Sequence, residues 1–474
     1  MIYVYALLSA LIWLIVTLLS HGFFGTEGFF YDLPNASMPF GRFFILYTTA
    51  FAIYSMAIFK VSKPSANKRN IFIVLAGAFV FRLILIPSVP VHENDIYRYI
   101  WDGKVLASGI NPYKYAPAYA SIKPAEIDQQ NDYKKLKSLR DEDPSFYRRI
   151  SYKYVPTIYP PLAQGLFAVS ALLARGSVWF MKILFVVFDI AIVFLLYNIL
   201  KLLKHNPLYV VVYAWNPLVL KEFANSGHYD PLVIFFVVAA VYFILKEKYI
   251  FSSICLGLGV LSKLFPLIFI PFLLLKKQYK AFFFSLAVIM AGYLPFLIWG
   301  QTDLKNIFAA LGNYAQKWSV NGFIFELLYS LLSILKNDPY ILSKIICGSI
   351  FAFVWIFIII KKRDIPEMMF LSISALFLLS PVGDPWYFCW VIPFLCPYRR
   401  FSMIFLSYLL ILSYFIFTRD FGTSSIEWFK IGNLLLMQYV PFYILLIFEN
   451  RAAFFPGYSP EKRREQQYYS ERHK

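Results

Sequence analysis

Between His92 and Tyr115 the chain reads HENDIYRYIWDGKVLASGINPYKY. Glu93 and Asp95 stand two residues apart, and Asp95, Arg98, Tyr99 and Asp102 recur at i, i+3, i+4 and i+7. Asn94 or Asp95 suits the start of a short helix reaching Ser108, and Gly109 suits its end. The spacing therefore predicts one helix face carrying two carboxylates and a guanidinium. Such a face can take a proton from a hydroxyl or hold a charged group. It can also be a self-paired, capped helix whose aromatic neighbours form an interfacial belt.

Further clusters of reactive residue types follow in order. YPPL, Tyr159–Leu162, carries two prolines that stiffen a turn. WNPLVLKEFANSGHYDPL, Trp215–Leu232, places Lys221, Glu222, Asn225, His228 and Asp230 close together. KWSVNGFIF, Lys317–Phe325, adds Lys317 and Asn321, and SPVGDPWYFCWVIPF, Ser380–Phe394, adds Asp384, Trp386 and Tyr387. A lone histidine such as His228, or an aspartate before proline such as Asp384, is ordinarily a satisfied loop residue. Lys263, inside the apolar run LSKLFP, is different. A lysine at such a place costs about 2.5–3.5 kcal/mol on insertion scales and calls for a partner, a function, or a route for its ammonium to an interface.

The elements that must position these residues are set by composition. The chain has 474 residues, 59% of them hydrophobic, and a mean hydropathy of +0.61. Soluble domains are only about 45–50% apolar and have no need of repeated apolar runs near 20 residues. The fold class is therefore an all-α polytopic membrane protein; strand-like alternation, the mark of an outer-membrane barrel, is absent. The formal charge of +18 comes largely from Lys and Arg clusters between apolar runs, as in cytoplasmic loops. No aromatic-basic pattern stands apart from them, so nucleic acid is not expected as a partner. Cys255, Cys347, Cys389 and Cys396 lie in apolar stretches without metal-ligand spacing and read as small buried side chains. The first run has no basic segment before it and no clear cleavage site, and reads as a retained span.

Placing the basic clusters in the cytoplasm gives a path of about twelve or thirteen spans. Residues 3–20, 43–60 and 71–87 cross, and 88–158 lies outside. Residues 161–174 are too short to cross and read as re-entrant or interfacial. Residues 178–200, 207–220 and 230–246 cross, and 250–275 forms a re-entrant pair broken near Lys263 and Pro266. Residues 281–299, 340–360, 367–381, 385–397, 401–417 and 433–448 complete the path, with both termini cytoplasmic. The loops 21–42, 88–158, 221–229, 300–339, 382–385 and 418–432 fall outside, and the unusual polar residues gather there. Four regions result: 1–70 with two helices, 71–400 as a catalytic membrane core, 401–448 with the last helices, and 449–474 as a basic tail.

Taken in order, NDIYRYIWDGKVLASGINPYKYAP, YPPLAQ, WNPLVLKEFANSGHYDPLVI, GVLSKLFPLIFIPFLLL, WSVNGFIF and SPVGDPWYFCWVIPFL resemble the GT-C superfamily of integral-membrane glycosyltransferases. The resemblance is strongest to the bacterial polyprenyl-phosphate-mannose-dependent mannosyltransferases that include family eighty-seven, and it covers roughly residues 70–400. It implies a GT-C-type fold in the bacterial cytoplasmic membrane. It also implies a donor of polyprenyl-phosphate sugar, with mannose the commonest, and a glycan or glycolipid acceptor at the external face. Asp95 inherits the role of catalytic base and Glu93 a supporting one. Where related sequences often read His-Pro-Trp-Tyr, this one reads Gly383-Asp384-Pro385-Trp386-Tyr387, and an ionised carboxylate cannot donate to a phosphate as a histidine can. The charged stretch 121–154 has no counterpart.

The residues allow a mechanism in which Asp95 takes the acceptor proton and a cation steadies the lipid phosphate as it leaves. Arg98, Lys221, His228 and Lys263 are the candidate cations. Trp101, Tyr113, Trp386 and Tyr387 are candidates for stacking on sugars, and Asp102, Asn111, Tyr159, Asp230, Asn321 and Asp384 for other substrate contacts. No cofactor is expected; Glu93, Asp95 and Asp230 are hard oxygen ligands, but their spacing demands no metal. The competing class is a transporter or flippase of a lipid-linked glycan, which broken helices and an intramembrane lysine also suit. A transporter should show pseudo-symmetric repeats, and the two halves show none.

Overall fold

The structure is a computed structural model that describes residues 2–22, 40–61, 67–122, 130–299, 304–361, 363–417 and 424–451. The expected loop 21–42 and the basic tail 449–474 lie mostly outside the described residues, as do 418–423; the rest of the expected loop 418–432 is not a loop but the start of helix Ser424–Glu449. Every element longer than a turn is helical among the described residues. Among the described residues six helices are long and apolar enough to cross a membrane: Ile2–Ser20, Gly41–Val61, Val178–Leu202, Tyr279–Ile298, Tyr340–Ile360 and Gly432–Glu449. Shorter apolar helices, among them Pro161–Ala174, Pro231–Leu245, Tyr249–Ser262 and Ile365–Leu379, pack among them. Large apolar side chains such as Leu7, Phe72, Met290, Ile298 and Phe353 face outward on the long helices. With no water to prefer polar groups there, such a surface suits lipid.

Several expected spans take another form. Residues 207–220 do not make one helix. They break into a 3-10 turn Pro207–Val210, short α turns Val211–Ala214 and Pro217–Val219, and a π-helical turn Leu220–Asn225. The sequence causes this twice over. Asn206 and Asn216 each accept a hydrogen bond from the backbone N–H two residues on, at 3.0 and 2.9 Å, ahead of Pro207 and Pro217. Asparagine caps and proline at the first helical position start a turn and forbid its continuation backwards. Irregular backbone survives at membrane depth only inside protein, and residues 208–234 are buried without exception. Residues 385–397 are likewise short turns, Pro385–Phe388 and Ile392–Leu395. The expected span 401–417 passes from α-helix, Phe401–Leu409, to 3-10 helix, Leu410–Phe417. The expected break near Lys263 is present: helix Tyr249–Ser262 ends there, and the 3-10 turn Phe265–Phe269 starts with Pro266 in its first positions.

The expected span 71–87 is the helix Lys68–Leu85, and it carries a charge in its interior. Arg82 is fully buried; its Nε and Nη2 donate to the Asp189 carboxylate at 2.7 and 3.1 Å. Its Nη1 donates to the carbonyls of Ala78 and Ala214, and Tyr213 donates to the same carboxylate at 2.7 Å. One fork thus clamps helix Lys68–Leu85, helix Val178–Leu202 and the broken segment together. Asp189 stands out in an apolar run, but nothing local in the sequence says which cation answers it.

The connection 88–158 builds a cap on this body. Helix Asp95–Ala107 crosses helix Pro161–Ala174 so closely that a Cβ on Gly103 would stand 2.2 Å from the Phe167 carbonyl oxygen. Part of the unmatched stretch 121–154 folds as helices Gln130–Glu142 and Pro144–Arg149, which pack against helix Asp95–Ala107. A buried charge left without its partner costs about 3–5 kcal/mol, whereas an apolar pair of similar volume can be nearly neutral. Arg82→Met or Asp189→Leu alone should therefore lower the melting temperature in detergent markedly, and the double variant should recover most of the loss. Single variants as stable as the parent would show that the clamp does not hold these elements.

Candidate active site

Helix Asp95–Ala107 begins where predicted, with Asn94 in the capping position. The Asn94 side chain does not cap; its amide donates instead to the Arg149 carbonyl at 3.2 Å. Asp95, half-buried in the first turn, accepts a hydrogen bond from the Ser151 hydroxyl at 3.1 Å. Arg98 donates through Nε to Asp102 at 2.9 Å, and through Nη1 and Nη2 to the carbonyls of Tyr152 and Val155 at 3.1 and 3.0 Å. The predicted helix face therefore exists, but Arg98 spends two donors on fixing loop 151–155 to the helix and a third on Asp102 of the same helix.

This face borders a cavity of about 1100 Å³. Glu93, Asp95, Arg98, Tyr159, Lys263, Asp384, Trp386 and Tyr387 line it, so half of the predicted site residues converge there. Lys317 is at its edge. Leu264, Phe265, Ile268, Leu376 and Phe377 give it an apolar wall. Lys263 has the partner its position called for: Nζ donates to Asp230 Oδ1 at 2.6 Å. The ammonium also stands 5.0, 4.6 and 4.9 Å from the ring centres of Tyr229, Tyr387 and Trp390, where ring faces attract a cation. The Trp390 indole N–H donates to the same Asp230 oxygen at 2.6 Å.

Glu93, Asp95 and Asp384 lie in connections between apolar helices and crowd one cavity. Burial raises the pKa of each, and mutual repulsion adds to this for Glu93 and Asp384, whose pKa values are raised well above the usual carboxylate range chiefly by burial and then by Asp95. For Asp95 burial again dominates, while the Ser151 hydrogen bond, Lys263 and Arg98 pull the other way. Asp95 is thus the most readily ionised of the three. A carboxylate with a raised pKa, facing a cavity next to a lysine, is a group poised to accept a proton.

The remaining predicted residues lie outside the cavity lining. Trp101 is core, packed on Tyr147. Asp102 pairs with Arg98. The Asn111 amide donates to the Phe296 carbonyl at 3.0 Å, and the Tyr113 hydroxyl donates to the Tyr159 carbonyl at 2.8 Å. Lys221 is fully buried against Glu222, 3.1 Å away, and over the Tyr414 ring. His228 stacks on Trp386 with ring centres 4.3 Å apart and is held by Tyr99. Asp230 serves Lys263. Asn321 joins two motifs: across the Val320–Val382 bridge the Val320 N–H donates to the Pro381 carbonyl and the Gly383 N–H to the Val320 carbonyl, and the Asn321 amide donates to the Gly383 carbonyl at 2.9 Å. Among the described residues no group of three or more His, Cys, Asp and Glu side chains is placed to hold a metal ion.

Sequence reasoning missed Ser151, Tyr152, Tyr229, Tyr314, Trp318 and Trp390. Tyr229 and Trp390 sat inside quoted motifs, and their aromatic type beside Lys263 was the available signal. Ser151 and Tyr152 lie in the stretch without a counterpart, and no signal marks them.

Two comparisons match part of this chain to known proteins. Residues 157–381 match the description Glycosyltransferase family 87, which spans the cavity's far walls but not Asp95. The GPI mannosyltransferase 1 of Candida albicans is 24% identical, over 59% of this chain and 76% of the relative. No solved structure matches the chain. On these similarities and on its helices, the chain is similar to membrane glycosyltransferases of the GT-C type, and among them to the mannosyltransferase-like ones.

Proposed function

We propose that this protein transfers one sugar, mannose by its relatives, from a polyprenyl-phosphate donor to an acceptor hydroxyl at the external face of the membrane. The observation that carries this reading is a single cavity that holds a cation, a carboxylate positioned by Ser151 and an apolar wall together. The apolar wall takes the first part of the donor's polyprenyl chain. Lys263, held by Asp230, faces the lipid phosphate and steadies the charge that grows on it as it leaves. Asp95 takes the proton of the acceptor hydroxyl, whose oxygen attacks the anomeric carbon from the side opposite the phosphate. The new C–O bond forms as the bond to the phosphate oxygen breaks. The products are the glycoside, polyprenyl monophosphate and a proton on Asp95. One displacement without a covalent intermediate inverts the anomeric centre.

Asp384 fits this scheme in spite of the motif difference. Burial favours its protonated form, and a neutral carboxyl group donates a hydrogen bond where an ionised one only accepts. It can thus serve a phosphate oxygen as a histidine would. Glu93, higher in pKa than an ordinary glutamate, keeps Asp95 from sharing the cavity with a second full charge.

Membranes carrying the protein, supplied with labelled polyprenyl-phosphate sugars and an envelope lipid extract, should show transfer. Asp95→Asn should reduce it about 10²–10⁴-fold at unchanged protein level. Equal transfer by both would remove Asp95 as the base; no transfer with any donor, together with lipid scrambling in vesicles, would point to a flippase. The pH profile gives a finer check. Asp95 acts ionised, so activity is lost as pH falls through its raised pKa. Ser151→Ala removes a hydrogen bond that favours the ionised form, so the acid limb of kcat/KM should move to higher pH, and a limb that stays or moves down contradicts the assignment. For sidedness, Tyr154, 89% exposed in the capping connection, is the probe. Tyr154→Cys should react with a membrane-impermeant maleimide in intact cells; labelling only after lysis would place the cavity on the cytoplasmic side.

A further inference from the structure

The cavity has a second lining that the transfer chemistry leaves unused. From the Lys263 ammonium, 4.6 Å from the Tyr387 ring centre, aromatic groups continue without a gap toward the outer edge. The Tyr387 and Tyr314 hydroxyls are 3.0 Å apart. The Tyr314 and Trp318 rings are 5.8 Å apart, and Trp318 meets Tyr152 edge to face, at 5.2 Å and 64°. All four rings line the cavity. Trp318 is only half-buried, and Tyr152 is 60% exposed.

Tyr152 is held there against its own preference. Its φ is +49°, in the left-handed region that a bulky side chain rarely adopts. The conformation persists because Arg98 grips the carbonyls of Tyr152 and Val155 on either side. Local strain of this kind, over-determined by its surroundings, is retained where the side chain's direction matters. The residue before it, Ser151, holds Asp95. Tyr152 is therefore aimed into the cavity one residue from the group that contacts the proposed base.

From this we infer that Tyr152 and Trp318 form a carbohydrate subsite for the acceptor, a corner of two perpendicular aromatic faces that receives a pyranose ring and offers its hydroxyl to Asp95. Aromatic rings present flat apolar faces of the right size for the C–H face of a sugar. Tyrosine and tryptophan also keep a polar tip for its hydroxyls. The charge pattern separates the two substrates: Lys263 lies at the other end of the aromatic run, whereas at the corner Arg98 is spent on Asp102 and the carbonyls of Tyr152 and Val155, Lys344 is spent on the carbonyls of Ala315, Gln316 and Trp318, and Lys317 is exposed. The acceptor role rests on the proposed transfer; the sugar-binding corner does not.

The test uses purified full-length protein in nanodiscs and a panel of methyl glycosides and mannobiose, read by saturation-transfer NMR and by titration. At least one of these sugars should bind the parent protein. Tyr152→Ala and Trp318→Ala should each raise its Kd about tenfold, whereas the conservative Trp318→Phe, which keeps an aromatic face, should leave it within about twofold. If no sugar binds, or if the alanine variants bind as well as the parent, the inference is overturned. Turnover then separates the two readings. With a labelled polyprenyl-phosphate mannose, the alanine variants should raise the KM for mannobiose and leave unchanged both the KM for the donor and its slow hydrolysis by water. Donor turnover absent from the parent, with sugar binding intact, would sink the proposed transfer alone; equal rises in donor and acceptor KM would sink the acceptor role of the corner.

Discussion

An ammonium group set among the rings of Tyr229, Tyr387 and Trp390 at membrane depth calls for an anion beside it, and Asp230 is that anion. Most of the cavity's architecture follows from keeping these two groups together. Lys263 ends helix Tyr249–Ser262 in extended backbone, and Asp230 precedes Pro231 at the start of helix Pro231–Leu245. These helices pack side by side, so the pair ties the broken end of one to the beginning of the other. Trp390 binds the same carboxylate oxygen from a third chain segment. The pair thus places a fixed positive charge at a cavity wall without an exposed lysine's freedom to reach water.

That charge also arranges the carboxylates. Glu93, Asp95 and Asp384 cannot all ionise in one half-closed cavity, because like charges in a poorly hydrated space repel strongly. Lys263 lowers the pKa of both Asp95 and Asp384, but only Asp95 has the further help of Ser151 and Arg98. Burial raises all three, and the hydrogen bond and nearby cations oppose that rise most at Asp95, a difference set by surroundings rather than by residue type. Asp95 and Asp384 are the same amino acid, and burial raises the second further above the usual carboxylate range than the first.

How much of this could be read beforehand depends on whether the determinant is local. The helix after Asn94 and its end at Gly109, where φ is +77°, follow from cap residues and spacing. The break at Lys263 follows from a charge and a proline in an apolar run. The path through 207–225 did not follow, because hydropathy scores a broken buried segment and a straight span alike; the repeated Asn-Pro steps were the overlooked sign. The pairing of Arg82 with Asp189 across 107 positions is a fact of the fold, and no periodicity carries it. Asn111, Tyr113 and Asn321 looked like substrate ligands because they are polar residues in an apolar chain. The structure uses their polar atoms to satisfy backbone groups at bends, and a sequence does not distinguish that duty from binding.

The two kinds of irregularity, broken helices and buried polar residues, have one cause. A regular helix satisfies its own backbone and presents side chains outward, so it cannot turn backbone carbonyls or adjacent side chains toward one point. A broken helix does, but in a membrane it must find partners for the groups it frees. Residues 207–230, 263–266 and 380–390 are where this chain breaks its helices. They are also where Glu222, Asp230, Lys263, Asn321 and Asp384 sit or make their contacts. Some of these polar groups repair the breaks, and others face the cavity that the breaks open. The proportion between the two explains why half of the polar residues singled out by chemistry alone line the cavity and the other half hold its walls.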